Sequence, residues 1–592
     1  MNIAQVRRWM QDKGIRCAYF TCRDPHQSES GAERWKTVQA LTGFTGSAGA
    51  ALVTETEAAF WTDGRYAEQA ARELAPEFRL FCSANPGDPS LSEWLPEHLP
   101  EGGALALDGS VISVSDLRKF HSLLDGRGTL CTDTDSLLEL WTDRPGIPGG
   151  PLWELEPRFA CRSREEKLEL VRSRLAAGET LLVSGLDEIA WLTNLRGSEH
   201  PLYPFFHAWA LVSKERAVLC TDIGRIPAEI RAGLFRSGFS VLPYGQIREA
   251  VAGLCPGETL VLDPFKAPAA LAAAVPPGAR IRECPALVTE IKARKTAAER
   301  ANVREANLRE CAAVVRLMRW IEAELAAGSP LDEYAVGQKL EEFRRRDPLY
   351  LQPGNVPIVG FGPNAALPHY RPAPGKSARV EREGFLLFDV CAQYRCGTTD
   401  LTRTVAAGPL TEEMRTDYTR VLKAHIRLAS QKFPEGTTGD LLDAAVKAPL
   451  WNEGIVYGHG TGHGIGYVSI VHEGPAKIEA AYAPAFPRAK ATPLAPGMLF
   501  SDEPGIYRPG RHGIRIENSV FVEEAFSTEF GRFLGFETVT FLPFENRAIR
   551  REMLSEAEAA WIRNYCRETR EKLAPYLDEA ERSWLAEKTD FA

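Results

Sequence analysis

The chain opens with MNIAQVRRWMQDKG, which places Ile3, Val6 and Met10 at helical spacing with charges between them. This predicts an amphipathic surface helix and lacks the continuous apolar core of a signal peptide. The pattern then turns to short apolar runs around polar turns. ALVTETEAAFWTD (51–63) and ALVSKERAVLCTD (210–222) share six of thirteen positions. They read as equivalent hairpins in two copies of one α/β unit, or as two hairpins that merely share a turn type. Helical period returns in TAAERANVREANLRECAAVVRLMRWIEAEL. Thr296 and Glu299 form a capping box there, Val303, Leu308, Val315 and Met318 supply an apolar stripe, and Gly328 and Pro330 stop the helix. A second helix, TEEMRTDYTRVLKAHIRLASQKF, followed by PEGTTGDLLDAAVKAPL, repeats the arrangement of AAGSPLDEYAVGQKLEEF after the first.

A chain of 592 residues exceeds what one hydrophobic core supports. The Pro/Gly clusters DRPGIPGGP (143–151) and VPPG (275–278) are the linker candidates. They give domains over 1–150, 151–286 and 287–592. With 44% hydrophobic and 25% charged residues the composition is globular, and a formal net charge of -9 argues against a general binder of nucleic acid or anionic membranes. Small substrates or protein partners fit better. No apolar run approaches the roughly 18 residues that span a bilayer. The twelve cysteines are scattered without a CxxC pair, which suits a reducing cytoplasm.

YGHGTGHGIGY (457–467) sets two histidines four apart, the spacing of a shared helical face. Glycine at every second position makes a helix unfavourable, each costing roughly 1 kcal/mol against alanine. The segment reads as loop or strand, with separate tasks for His459 and His463. GFLLFDVCAQYRCGTTDLTRTV (384–405) reads as a hairpin carrying Asp389 and Asp400. A turn at Arg395 and Cys396 puts Asp389 opposite Thr402 and Asp400 opposite Cys391, with the aspartates as same-face diagonal neighbours. A turn one residue later moves them apart; the first register is preferred. Two like charges side by side need a cation or a shared proton, unless the hairpin turns its acids to water. SDEPGIY places Glu503 before a Pro-Gly turn, and GIRIENSV alternates Ile514 and Ile516 with Arg515 and Glu517 on one strand. Two aspartates, two glutamates and a histidine make an oxygen-rich set suited to Mn²⁺ or similar ions, and four carboxylates neutralise two divalent cations.

DVCAQYRCGTTDLTRT, HGTGHGIG, VHEGP, DEPGIY and GIRIEN, in this order, resemble the signature of the aminopeptidase P family, Xaa-Pro aminopeptidases of the pita-bread metallopeptidase fold. DPHQSE, GFTGSAGAALVT, WTDGRYAEQA and DEIAWLTNLRG extend the likeness over essentially the whole chain. The resemblance implies an α/β (α+β) protein: two creatinase-like α/β domains followed by a C-terminal pita-bread catalytic domain. It implies that Asp389, Asp400, His463, Glu503 and Glu517 hold two divalent ions, Mn²⁺ or sometimes Zn²⁺. His369, His459, His472 and Arg515 would contact substrate. Glu503 would also move the proton of the attacking water, and His472 would steady the tetrahedral oxyanion. The substrates would be peptides with proline second, and the protein a cytoplasmic homodimer formed largely through the third domain, where the helix closing LPFENRAIRREMLSEAEAAWIRNYCRETREKL could pack.

Two features depart from the family pattern. Cys391 stands where relatives usually carry glycine, and Cys396 replaces a polar turn residue. The plain reading of Cys391 is a small buried thiol; the others are metal binding or redox sensitivity. AKIEAAYAPAFPRAKATPLAPG, between His472 and Glu503, is longer than in typical relatives and reads as a surface loop. The rival functions are a prolidase-type dipeptidase, other pita-bread enzymes acting on methionine termini or creatine, and a metal-free peptide-binding or chaperone module.

Overall fold

The computed structural model describes residues 1–83, 85, 87–480 and 492–591. The middle of the long segment after His472, residues 481–491, therefore lies outside the described residues. The chain divides into two compact units, Met1–Leu155 with Arg162–His200 and Pro204–Val288, and Glu156–Cys161 with Pro201–Tyr203 and Thr289–Ala592.

In the first unit the amphipathic pattern at the N-terminus forms the helix Ile3–Lys13, capped by Asn2 and ended at Gly14, with Ile3, Val6, Trp9 and Met10 buried. The unit holds two six-stranded sheets. One takes Cys17–Thr21, Ala50–Thr54, Ala58–Thr62, Arg79–Cys82, Ala104–Ala106 and Thr129–Cys131, in the spatial order fourth, third, second, first, fifth, sixth. The other takes Glu179–Val183, Ala208–Ser213, Ala217–Thr221, Phe239–Pro243, Thr259–Leu262 and Arg280–Glu283 in the same order. Strand directions also agree: in each sheet the first, second and third strands run antiparallel to one another in turn, and every other pairing is parallel. The two echoing segments are the second and third strands of each sheet, so the repeat in sequence is a repeat in topology. VPPG is not a linker. It turns the chain from the helix Ala269–Ala273 into the edge strand Arg280–Glu283, with Gly278 at φ +89. A Pro/Gly cluster serves a tight αβ turn as readily as a domain boundary.

In the second unit the helix Ala297–Ala327 starts at the Thr296–Glu299 capping box and ends at Gly328 in the left-handed conformation. Val303, Val315 and Met318 are buried, and Leu308 packs partly buried against the same core. Glu333–Arg344 follows it, then the long hairpin Phe385–Tyr394 and Gly397–Ala406. The order recurs: Glu412–Ser430, Gly439–Trp451, then the hairpin Asn518–Thr528 and Gly531–Thr538. One continuous apolar core runs beneath both halves. The expected final helix spans Glu556–Leu573, and another, Glu579–Lys588, succeeds it. Among the described residues no helix is long and apolar enough to cross a membrane.

Candidate metal centre

The first hairpin adopts the preferred register, with Asp389 opposite Thr402, Cys391 opposite Asp400, and Tyr394 opposite Gly397 around the Arg395–Cys396 turn. Side chains alternate across a strand, so Asp389, Cys391, Asp400 and Thr402 share one face. His463 lies on the short strand Gly462–Gly464, and Glu503 directly follows the strand Leu499–Asp502; both strands belong to a six-stranded sheet. GIRIENSV is not one strand. His512–Arg515 pairs with Gly505–Arg508, whereas Asn518–Thr528 joins the six-stranded sheet, and between them Glu517 forms a bridge to Thr402. Three sheets thus meet at the acids. The glycines of HGTGHGIG allow this: a Cβ at Gly462 would fall 2.0 Å from the Ser501 carbonyl oxygen, and one at Gly464 would fall 2.2 Å from that of Glu473.

The donor atoms converge. His463 Nε2 lies 3.4 Å from Asp400 Oδ2 and 3.4 Å from Glu503 Oε1. Its Nδ1 is 3.0 Å from the Gly464 carbonyl oxygen, which fixes the tautomer and leaves Nε2 facing the acids. The Thr402 hydroxyl donates to Glu517 Oε2 at 2.6 Å, and the Ser501 hydroxyl to Glu503 Oε1 at 3.2 Å. Ligand atoms of Asp389, Cys391 and Asp400 lie within 4.8 Å of one another, as do those of Asp400, His463 and Glu517. Asp400 belongs to both groups.

Arg515 is 2% exposed and donates to Asp389 Oδ2 at 2.6 Å. The Tyr507 hydroxyl joins Arg515 Nη1 (2.6 Å) to His459 Nε2 (2.8 Å), while His459 Nδ1 lies 3.9 Å from Glu503 Oε2. The His472 ring is 4.3 Å from that of His463, edge to face. His369 is half-buried beside Pro368, whose carbonyl oxygen is 3.4 Å from Arg515 Nη2. Sequence reasoning placed Thr402 in the hairpin without a role towards Glu517 and missed Tyr507 and Ser501. Tyr507 ends an apolar-looking run and the others are small hydroxyls, so only the register reveals their roles.

Electrostatics explains what this cluster lacks. Burial raises Asp389 above the usual carboxylate range despite Arg515, and burial raises Glu503 despite His463 and Arg515. Burial and the neighbouring carboxylates push Glu517 well above its usual range. Burial would lower the His463 imidazole, but Asp400 and Glu503 outweigh it and push it up to about 9. A pocket in which Asp389, Glu503 and Glu517 resist ionisation and the histidine is driven to protonate is short of positive charge. Four carboxylates with one oriented imidazole are the donors that divalent ions take, so the residues fit a metal pair. Fold and site together define a candidate centre for a pair of divalent ions.

Comparison with known proteins agrees. Residues 301–524 match metallopeptidase family M24, residues 2–140 and 143–299 each match a creatinase/prolidase N-terminal domain, and 532–591 match the C-terminal region of peptidase M24. Aminopeptidase P2 of Arabidopsis thaliana is 33% identical over 99% of this chain and 88% of its own. A probable Xaa-Pro aminopeptidase P of Neosartorya fischeri is 35% identical over 99% and 92%. The crystal structure of X-prolyl aminopeptidase from Caenorhabditis elegans, described as a cytosolic enzyme with a di-nuclear active site, superposes with a TM-score of 0.91 at 29% identity, over 98% of this chain and 95% of that one. An Xaa-Pro dipeptidase from Bacillus anthracis covers only 65% of this chain, at 25% identity and a TM-score of 0.50. The chain belongs to metallopeptidase family M24, and its full-length relatives place it among the aminopeptidases P of that family.

Proposed function

We propose that the protein is a metal-dependent aminopeptidase that releases the first residue from peptides whose second residue is proline. The observation that carries this reading is the convergence of Asp389, Asp400, His463, Glu503 and Glu517 in a chain that matches aminopeptidases P along its whole length. In this reading these five residues hold two divalent ions. The oxygen-rich set favours Mn²⁺, with Zn²⁺ the alternative. The ions would polarise the carbonyl before proline and acidify a water enough for attack near neutral pH.

The chain's own groups supply the rest. Glu503 takes the proton of the attacking water and returns it to the departing proline nitrogen. His472, beside His463, donates to the tetrahedral oxyanion. Arg515 holds Asp389 in place and, through Tyr507, steadies His459 where the peptide lies; His369 contacts the peptide from the neighbouring loop. An Xaa-Pro bond has no N–H and restricts the residue before it, so a site that recognises this bond does so without that hydrogen bond. A cytoplasmic location, domain boundaries near 150 and 286, and a homodimer formed through the C-terminal domain belong to the same proposal.

The test is release of the first residue from Arg-Pro-Pro and Arg-Ala-Ala by chelator-stripped protein, with and without added Mn²⁺. Metal-dependent cleavage of the proline peptide alone is expected. Absence of cleavage with any divalent ion overturns the reading.

A further inference from the structure

The two donor groups that share Asp400 differ in kind. One adds the imidazole of His463 and the carboxylate of Glu517; the other adds Asp389 and the thiol of Cys391. Without the thiol the second group is all oxygen. Cys391 is 3% exposed and sits on the strand face that carries Asp389, directly across from Asp400, with its Sγ 2.9 Å from Asp400 Oδ1. Its backbone is pinned as well. The Cys391 N–H donates to Asn355 Oδ1 at 3.0 Å, and the Gly354 N–H donates to the Cys391 carbonyl at 2.9 Å. A Cβ at Gly354 would lie 2.9 Å from Cys391 Cβ, so nothing larger than glycine fits behind the cysteine.

We propose that Cys391 Sγ is a further protein donor to the metal position built on Asp389 and Asp400, and that it tilts this position from Mn²⁺ towards thiophilic divalent ions such as Zn²⁺ and Co²⁺. The inference rests on the metallopeptidase reading above. Soft sulfur selects such ions where carboxylate oxygen does not. As the sulfur–metal bond forms, the S–H bond breaks and its proton leaves to solvent; no oxidant takes part.

The experiment uses the full chain, stripped of metal and reloaded with Co²⁺ in the absence of air, with bound cobalt counted by equilibrium dialysis. A near-ultraviolet thiolate-to-cobalt charge-transfer band is expected, and it disappears in Cys391→Ser. The ratio of Zn²⁺ to Mn²⁺ affinity is expected to fall about tenfold in that variant. Cobalt that binds without the band, or a band that survives the substitution and so arises from another of the twelve cysteines, overturns the proposal while leaving the metallopeptidase reading intact. Failure to retain any cobalt overturns both. Should the variant not fold, ¹¹³Cd resonances of the unsubstituted chain decide: one signal moved downfield by sulfur supports the assignment, and signals confined to the all-oxygen and nitrogen range overturn it.

Discussion

The Arg515 guanidinium lies 2.6 Å from Asp389 Oδ2, with its other terminal nitrogen 2.6 Å from the Tyr507 hydroxyl. One buried cation thus spans the acidic floor and the histidine side of the pocket, holding both in a geometry that a point charge could not. Arg515→Gln is expected to lower kcat/KM for Arg-Pro-Pro by on the order of a hundredfold or more, as loss of an oriented donor near the reacting atoms does. Steady-state kinetics on folded, metal-loaded variant decides; unchanged kcat/KM removes Arg515 from the machinery.

Because the pocket is short of positive charge, metal uptake is expected to stabilise the fold. At a free concentration of 100 times Kd each site contributes about 2.7 kcal/mol. The thermal midpoint of stripped protein should rise on adding Mn²⁺, and Asp400→Asn, which disables the residue common to both donor groups, should abolish most of the rise. A midpoint indifferent to metal contradicts the site.

Glu473 stands between two buried lysines, Lys292 and Lys295, and accepts from both. Lys295 also donates to the Ile465 carbonyl at 2.7 Å, and Glu473 pairs across the sheet with Gly464, so this triad ties the strand of His463 to the strand that directly follows His472. Glu473→Gln leaves two buried ammonium groups without their anion, a loss of roughly 3–5 kcal/mol. The thermal midpoint is expected to fall by on the order of 10 °C. Replacing all three residues by apolar ones of similar size should recover most of it, and a single substitution without effect refutes the account.

In the first unit, burial lowers the His26 and His200 imidazoles from the ordinary 6.5 to about 4. The folded unit therefore holds both neutral where the unfolded chain would protonate them. Their contribution is present in full above pH 6.5 and is lost as pH falls from 6.5 towards 4. Calorimetry at fixed ionic strength should show the unit's midpoint dropping across that window, and His200→Gln should make the drop shallower. A flat profile excludes the mechanism.

Much of this was legible in the chain. The hairpin register followed from the short turn at Arg395 and Cys396, which sets Asp389 and Asp400 as near diagonal neighbours, whereas a turn one residue later would keep them on one face but farther apart. The echo at 51–63 and 210–222 was legible because one apolar, turn, apolar pattern supplies the second and third strands of both sheets. GIRIENSV misled because alternation is silent about where a strand changes partners, and VPPG because local turn chemistry does not reveal whether a sheet continues beyond it. The roles of Tyr507, Thr402 and Ser501 stayed hidden because they lie in what faces these residues, which is set by contacts distant in sequence.

The changeover between Arg515 and Asn518 also has a mechanical meaning. Arg403, fully buried, donates to the carbonyl of Glu517 and to Asn518 Oδ1, while Thr402 bridges to Glu517. The first hairpin and the segment bearing the last acid are therefore tied to each other by a backbone bridge and a buried arginine side chain, independently of any ligand. Ions would enter a frame whose spacing is set before they arrive. The work of gathering like charges falls on folding, and metal uptake is left to relax a tension already built in.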